Sequence, residues 1–180
     1  MFFENDIILK DKMLTRFIII LMIMAGHISL FSQVSDKLDS EVKNQVQYAL
    51  SLCKHLHQNP ELSFQEKETS ARMAAELVKA GFEVTRNFGG NNVAGILKNG
   101  EGPVVMLRTD MDALPVKEKT GFEFSSKKTA TDRNGDEVPV MHACGHDVHM
   151  ASLLGTAKIL NNIRDNFEGS VKLIFQPSEE

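Results

Sequence analysis

The segment His142-Ala143-Cys144-Gly145-His146-Asp147 constrains this chain more than any other stretch. With His149, it puts three histidines, one cysteine and one aspartate within residues 142–149, more ligating groups than core filling explains. It falls between an expected strand end and the start of an expected helix. Gly145 permits a tight turn, so the side chains of Cys144 and His146 can face one point. Thiolate and imidazole together suit zinc or another borderline divalent ion. The helix N-terminus that follows favours an ionised thiol. Asp147 is placed either to cap that helix or to support a ligating histidine.

Two other segments carry candidate chemistry. Glu179-Glu180 follows Phe175-Gln176-Pro177 at an expected strand end. Adjacent carboxylates in an extended segment point to opposite sides, so one can bind a metal while the other serves as a general base. On its own the pair also reads as two solvated acids. Arg108-Thr109-Asp110-Met111-Asp112 leaves a third apolar strand at the same rim. Asp110 or Asp112 is placed to orient a metal-bound histidine, with a hairpin or helix cap as the plain alternative.

Hydrophobic periodicity supplies the frame. Val42, Val46, Ala49, Leu50, Cys53 and Leu56 recur at helical spacing up to Asn59-Pro60. Ser63-Phe64-Gln65-Glu66 has the form of a capping box opening a second helix, with Met73, Ala74, Leu77 and Val78 inward and Gly81 as its stop. Strands are expected at 82–88, 93–97 and 104–108, a hairpin about Asn134-Gly135, a helix over 148–163 with Met150, Leu153, Leu154, Ala157 and Leu160 inward, and a last strand at 171–175. The pattern implies an α/β layered domain with a mixed sheet flanked by helices. The sequence stops close behind its last strand, at the rim where α/β sites lie, and so reads as an incomplete domain.

Residues 1–33 read differently. Lys10, Lys12 and Arg16 precede the apolar run 17–25, and small or polar residues follow through Ser29, Ser32 and Gln33. This is the form of a secretory signal, with Met13 a more typical start than Met1 and cleavage expected after Ser32 or Gln33. The nine-residue core is short for a membrane span, which needs about 20 apolar residues. Export to the periplasm or cell exterior is therefore expected, with anchoring by an uncleaved signal as the alternative and no stable span after cleavage. The mature domain is 34–180. Cys53 and Cys144 are expected to stay unpaired. A net charge of -4 with no basic stripe argues against nucleic acid as the partner.

Four motifs occur in a telling order: Leu56-His57-Gln58-Asn59-Pro60-Glu61-Leu62-Ser63, Leu107-Arg108-Thr109-Asp110-Met111-Asp112-Ala113-Leu114-Pro115, Met141-His142-Ala143-Cys144-Gly145-His146-Asp147-Val148-His149 and Phe175-Gln176-Pro177-Ser178-Glu179-Glu180. They resemble the aminoacylase and carboxypeptidase superfamily of metallohydrolases, in its amidohydrolase branch with hippurate hydrolase, auxin-conjugate hydrolase and N-acyl amino acid amidohydrolase. The resemblance runs over residues 42–180. It implies Cys144, His146 and Glu180 as metal ligands, Glu179 as general base and Asp110 as the acid supporting the site. It gives His57 no chemical role. It further implies two divalent ions (Mn2+, Zn2+ or Co2+), a small N-acyl amino acid substrate, homo-oligomeric full-length relatives, and two further histidine ligands with a lid or dimerisation domain outside this sequence. The 180-residue segment alone is accordingly expected to hold an incomplete site and to be inactive. Lys54 stands where an arginine is usual, Ser178 replaces a common alanine, and the hairpin at Asn134-Gly135 is longer than in many relatives.

Amide hydrolysis of N-acyl amino acids is the leading reading. A dipeptidase or exopeptidase of the same superfamily is the second, although peptidase branches tend to carry aspartate where Cys144 stands. A non-catalytic exported remnant is the third.

Overall fold

The computed structural model describes residues 2–180, with side chains for 15–17, 19, 22 and 33–180. Most of the expected signal segment, including Lys10, Lys12 and Met13, lies outside the residues so described. Among the described residues no helix is long and apolar enough to cross a membrane. The chain divides into two compact units, Met1–Ser40 and Glu41–Glu180. The first holds only the leading part of helix α1 (Phe2–Gln58); the second holds everything that follows.

In the second unit α2 (Lys67–Lys79), β1 (Glu83–Arg86), β2 (Val93–Asn99) and β3 (Val104–Asp110) precede a small hairpin of β4 (Thr129–Thr131) and β5 (Glu137–Pro139). Helix α3 (His146–Asn162) and β6 (Gly169–Gln176) close the domain. The main sheet has the order β1-β2-β6-β3, antiparallel at the first two pairings and parallel between β6 and β3. The expected mixed α/β layering is borne out. Pairing Asp110 with Gln176 sets the ends of β3 and β6 side by side, which places two of the chemistry-bearing motifs at one rim.

Burial follows the strand pleat. Val171, Leu173 and Phe175 of β6 face inward, and the alternate residues are half-exposed. The inward face meets Leu52 and Leu56 of α1, Met73 and Leu77 of α2, and Met150 and Leu154 of α3. Each fully buried side chain of this size stabilises the fold by about 1.5–3 kcal/mol relative to exposure. β3 is an edge strand: its Val104 and Met106 are 66% and 61% exposed.

Three local expectations are corrected. Val42, Val46 and Leu50 were expected inward, yet they are about half exposed; the buried stripe of α1 runs through Leu52 and Leu56, with Tyr48 and Cys53 packed beside it. Val78 is 62% exposed, because it lies outside the buried arc of α2, which passes through Thr69, Ser70, Met73, Ala74, Glu76 and Leu77. The capping box does not form. α2 begins at Lys67, and its first amides are met from outside by Glu61, whose carboxylate accepts from the Thr69 N–H at 2.7 Å and the Glu68 N–H at 3.2 Å. Ser63 and Glu66 are engaged elsewhere. Gly81 ends α2 as expected, with φ +82°.

Candidate metal centre

Main-chain hydrogen bonds bring the four motifs together. The Ala113 N–H donates to the Glu61 carbonyl at 2.8 Å, and Leu114 and Met141 exchange two bonds of 3.0 Å. Residues just past β3 thus hold the loop before α2 on one side and the segment entering the Cys144 turn on the other. Gly145 adopts the left-handed conformation there, with φ +81°, and its carbonyl accepts the Val148 and His149 amides that start α3. Any residue with a Cβ is strained at that φ.

His146 is buried at the head of α3, and its orientation is fixed. Its Nδ1–H donates to the Asp112 carbonyl at 2.8 Å, with Asp112 Oδ1 at 3.4 Å. That leaves Nε2 as the free lone pair facing the rim. Asp110 Oδ1 lies 3.7 Å from it, Glu179 Oε2 3.9 Å and Glu180 Oε1 4.0 Å. These separations are too long for hydrogen bonds. Ligands held about 2.0–2.2 Å from a shared ion stand at about this spacing from one another.

The carboxylates are held in turn. Asp112 Oδ2 accepts the Glu180 N–H at 2.9 Å and the Ser63 hydroxyl at 2.6 Å. Burial opposes the charge of Asp112, but these donors hold its pKa below the ordinary range. Glu66, fully buried, accepts the Ser178 N–H at 2.8 Å and the Asn91 amide at 3.1 Å, fixing the turn that leads into Glu179. Burial likewise opposes the charge of Asp110. The hydrogen bond from His149 Nδ1–H, 3.0 Å from its Oδ1, and backbone hydrogen bonding outweigh this and lower its pKa.

Sequence reasoning placed His146, Glu179, Glu180 and Asp110 together, and the structure brings these four to one rim. Asp112 orients His146, one of the two options read from the sequence. Cys144 lies against Glu180, its expected co-ligand, and only the expected ease of ionising its thiol is contradicted. It is exposed, and its hydrogen bond to the Glu180 carboxylate raises the pKa of its thiol, with the charges of Glu180 and Glu179 adding to the effect. Helix-terminal stabilisation of a thiolate is overridden there by neighbouring negative charge. Asp147 neither caps α3 nor touches a candidate ligand; its carboxylate binds His57. His142 is buried with both ring nitrogens unpartnered, and burial holds its pKa below the ordinary range. Glu61 and Glu118 were given no role from the sequence, and Ser63 and Glu66 were read only as a helix cap. Ser63, Glu66 and Glu118 bind Asp112, Ser178 and His57, all distant in the chain, so local spacing carries no signal for those contacts.

The donor set fits divalent ions. Four carboxylates, from Asp110, Asp112, Glu179 and Glu180, surround one imidazole, and among the described residues the Arg108 guanidinium, 3.7 Å from Asp110, is the only Lys or Arg group paired with any of the four. Asp110, His146 and His149 form one set of converging donor atoms, and His146, Glu179 and Glu180 a second. Two overlapping sets sharing His146 are compatible with more than one ion at this rim.

Residues 106–180 match the profile of peptidase family M20/M25/M40. Over these residues the chain is similar to that family. Members of the M20 family are metal-dependent hydrolases, including amidohydrolases and peptidases. Over 147 residues the chain is 43% identical to thermostable carboxypeptidase 2 of Saccharolobus solfataricus, covering 81% of this chain and 35% of that protein. It is 42% identical over 145 residues to the N-acyl-L-amino acid amidohydrolase of Geobacillus stearothermophilus, covering 80% and 36%. In three dimensions it is similar to the YxeP protein of Bacillus subtilis, described as a dinuclear metal-binding peptidase of the M20 family, with a TM-score of 0.66, 38% identity, and 76% and 36% of the two chains covered. The chain thus spans about a third of the length of these M20 relatives.

Proposed function

We propose that this chain supplies the first half of the active centre of an amidohydrolase that cleaves N-acyl or N-aroyl amino acids. One observation carries the reading: His146, locked through Nδ1 on a main-chain carbonyl, aims Nε2 at Asp110, Glu179 and Glu180. Cys144, His146 and Glu180 are the proposed metal ligands, with Asp110 supporting them. Divalent ions bound there supply Lewis acidity toward water and toward the scissile carbonyl.

The chain's own residues account for the rest. Glu179 is the more exposed of the two terminal acids, with 42% of its side chain accessible against 24% for Glu180. In this reading Glu179 Oε2 takes the proton of the attacking water and returns it to the leaving amine. Asp112 fixes Glu180 through its main-chain N–H and His146 through its carbonyl, so one residue positions both sides of the site. The products are a carboxylic acid and an amino acid. The amidohydrolase named among the relatives supports this substrate class, and so does a cysteine at position 144. The carboxypeptidase named beside it supports the second reading, a peptidase acting on a free C-terminus. Residues 1–33 support export of the protein.

The test is hydrolysis by the full-length protein that carries this chain, supplied with Mn2+, Zn2+ or Co2+. Release of benzoate from hippurate, abolished by chelation, is expected. Cleavage of unblocked dipeptides with no action on any N-acyl amino acid would establish the peptidase reading instead.

A further inference from the structure

A cavity of about 330 Å3 opens directly beside Glu180. One wall is apolar, made by Leu62, Ala113, Leu114 and Pro115; the opposite rim is the turn of the β4–β5 hairpin, carrying Arg133. The hairpin is anchored in place. Its Val138 and Ala130 pack on the small core of Leu62, Ala113 and Val140, and the Gln65 amide donates to the Thr131 carbonyl at 2.8 Å. It is therefore a fixed wall of the cavity.

The polar groups lining the cavity are mostly committed. The carboxylate of Asp132 accepts the Asn134 and Asp136 amides at 2.8 and 2.9 Å, closing its own turn. Ser63 is bound to Asp112, and Gln65 to Thr131. Arg133 is different. Its guanidinium lies 4.5 Å from the centre of the Phe64 ring, stacked on an aromatic face, and among the described residues no carboxylate forms an ion pair with it. A guanidinium so stacked is held in place while its planar N–H edge stays available for a bidentate carboxylate. Phe64 itself is fixed in a left-handed conformation, φ 68°, by donating its N–H to Ser178 Oγ at 2.9 Å. The ring that seats Arg133 is thus tied to the segment that carries Glu179 and Glu180.

We infer that this cavity is a specificity subsite for a carboxylate-bearing apolar group of the substrate, with Arg133 as the residue that recognises the carboxylate. The apolar wall takes the hydrocarbon, the guanidinium takes the anion, and Glu180 borders the end nearest the proposed chemistry. This rests on the amidohydrolase reading and deepens it. The carboxylate comes either from the amino-acid half or from a dicarboxylic acyl half; the chemistry recognised is the same.

Two measurements on the full-length protein test it. The first is binding of benzoate, with benzamide as its neutral counterpart, followed by titration calorimetry without added metal. Benzoate binding that weakens about tenfold in Arg133→Ala, is partly kept in Arg133→Lys, and exceeds benzamide binding in the wild type is expected. Equal binding of both probes, or benzoate binding unaffected by Arg133→Ala, overturns the subsite whatever the enzyme does. The second is kinetics of the metal-loaded protein on an N-acetyl amino acid, its amide, and N-succinyl counterparts of both. Arg133→Ala is expected to raise KM about tenfold with kcat little changed, only for substrates carrying the recognised carboxylate. Loss of discrimination between amino acid and amide assigns the carboxylate to the amino-acid half, and loss between succinyl and acetyl to the acyl half. Wild-type protein that hydrolyses none of them defeats the amidohydrolase reading, while the benzoate result still decides the subsite.

Discussion

His57 Nδ1 lies 2.7 Å from Asp147 Oδ2, and its Nε2 lies 3.1 Å from Glu118 Oε1, so one imidazole bridges two carboxylates. The side chains of Asp147 and Glu118 are 4% and 1% exposed. Asp147 directly follows His146, and Glu118 also accepts the Ser126 amide, so the bridge joins the end of α1 to the head of α3 and to the strap before the hairpin. Removing the imidazole would leave two buried acids without their shared partner. His57→Ala is therefore expected to destabilise the protein by about 3–5 kcal/mol. Denaturant unfolding measures it; a cost below about 1 kcal/mol would show that the bridge holds nothing together.

The same bridge predicts a pH window. Burial opposes the charge of His57, but the hydrogen bonds and charges of Asp147 and Glu118 prevail and raise its pKa. A raised folded pKa gives stabilisation that is full below the unfolded value of about 6.5 and is lost as pH rises through the folded one. Glu118 runs the opposite way. Burial opposes its charge, yet Thr120, Ser126 and His57 lower its pKa to about 2. Its contribution is full above the unfolded value of about 4.3 and disappears as pH falls toward 2. The stability difference between wild type and His57→Asn is thus expected to peak between about pH 4.3 and 6.5 and to shrink on either side. A difference constant across that range would remove the ionic basis of the bridge.

How these groups read from sequence depended on whether their partners were local. Gly81, the hairpin at Asn134-Gly135 and the inward residues of α3 were legible, because backbone conformation and helical spacing are local properties. The rotation of α1 was not: Val42, Val46 and Leu50 form a respectable apolar stripe, and only the position of the sheet selects Leu52 and Leu56 for burial. Ser63 and Glu66 satisfied a local capping pattern, yet stronger long-range partners took them: Asp112 for Ser63, and Ser178 and Asn91 for Glu66. At the rim itself, residue types in motif order singled out Cys144, His146, Glu179, Glu180 and Asp110 as candidates. The tautomer of His146 could be assigned only once the Asp112 carbonyl was seen beneath it.

The roles proposed for His146 and Glu179 separate experimentally. Glu179→Gln keeps the size and hydrogen-bonding shape of the side chain but cannot take a proton. It is expected to retain bound metal while lowering kcat about 10²–10⁴-fold on an N-acyl amino acid. His146→Asn removes the nitrogen on which Asp110, Glu179 and Glu180 converge, and is expected to lower metal content as well as turnover. Metal stoichiometry with steady-state kinetics reads both. A Glu179→Gln protein that loses its metal would move Glu179 from base to ligand.

The register that carries Glu179 and Glu180 to the rim begins at Gly169, the first residue of β6. Gly169 has φ +107°, and a Cβ built there would stand 2.4 Å from the Pro103 carbonyl oxygen. That oxygen accepts the Ser170 N–H at 2.9 Å just where β6 starts to pair with β3, so neither chain can withdraw without disturbing the parallel register. Gly100 is the matched control: its φ is +81°, but a Cβ there meets nothing within 4 Å. Gly100→Ala is expected to cost about 1–2 kcal/mol, from the left-handed backbone alone. Gly169→Ala should cost at least about 2 kcal/mol more, because overpacking against main chain is added to the backbone strain. The two thermal midpoints settle the point. Equal losses would mean that β6 can shift at its start, and the placement of Glu179 and Glu180 would then not depend on this contact.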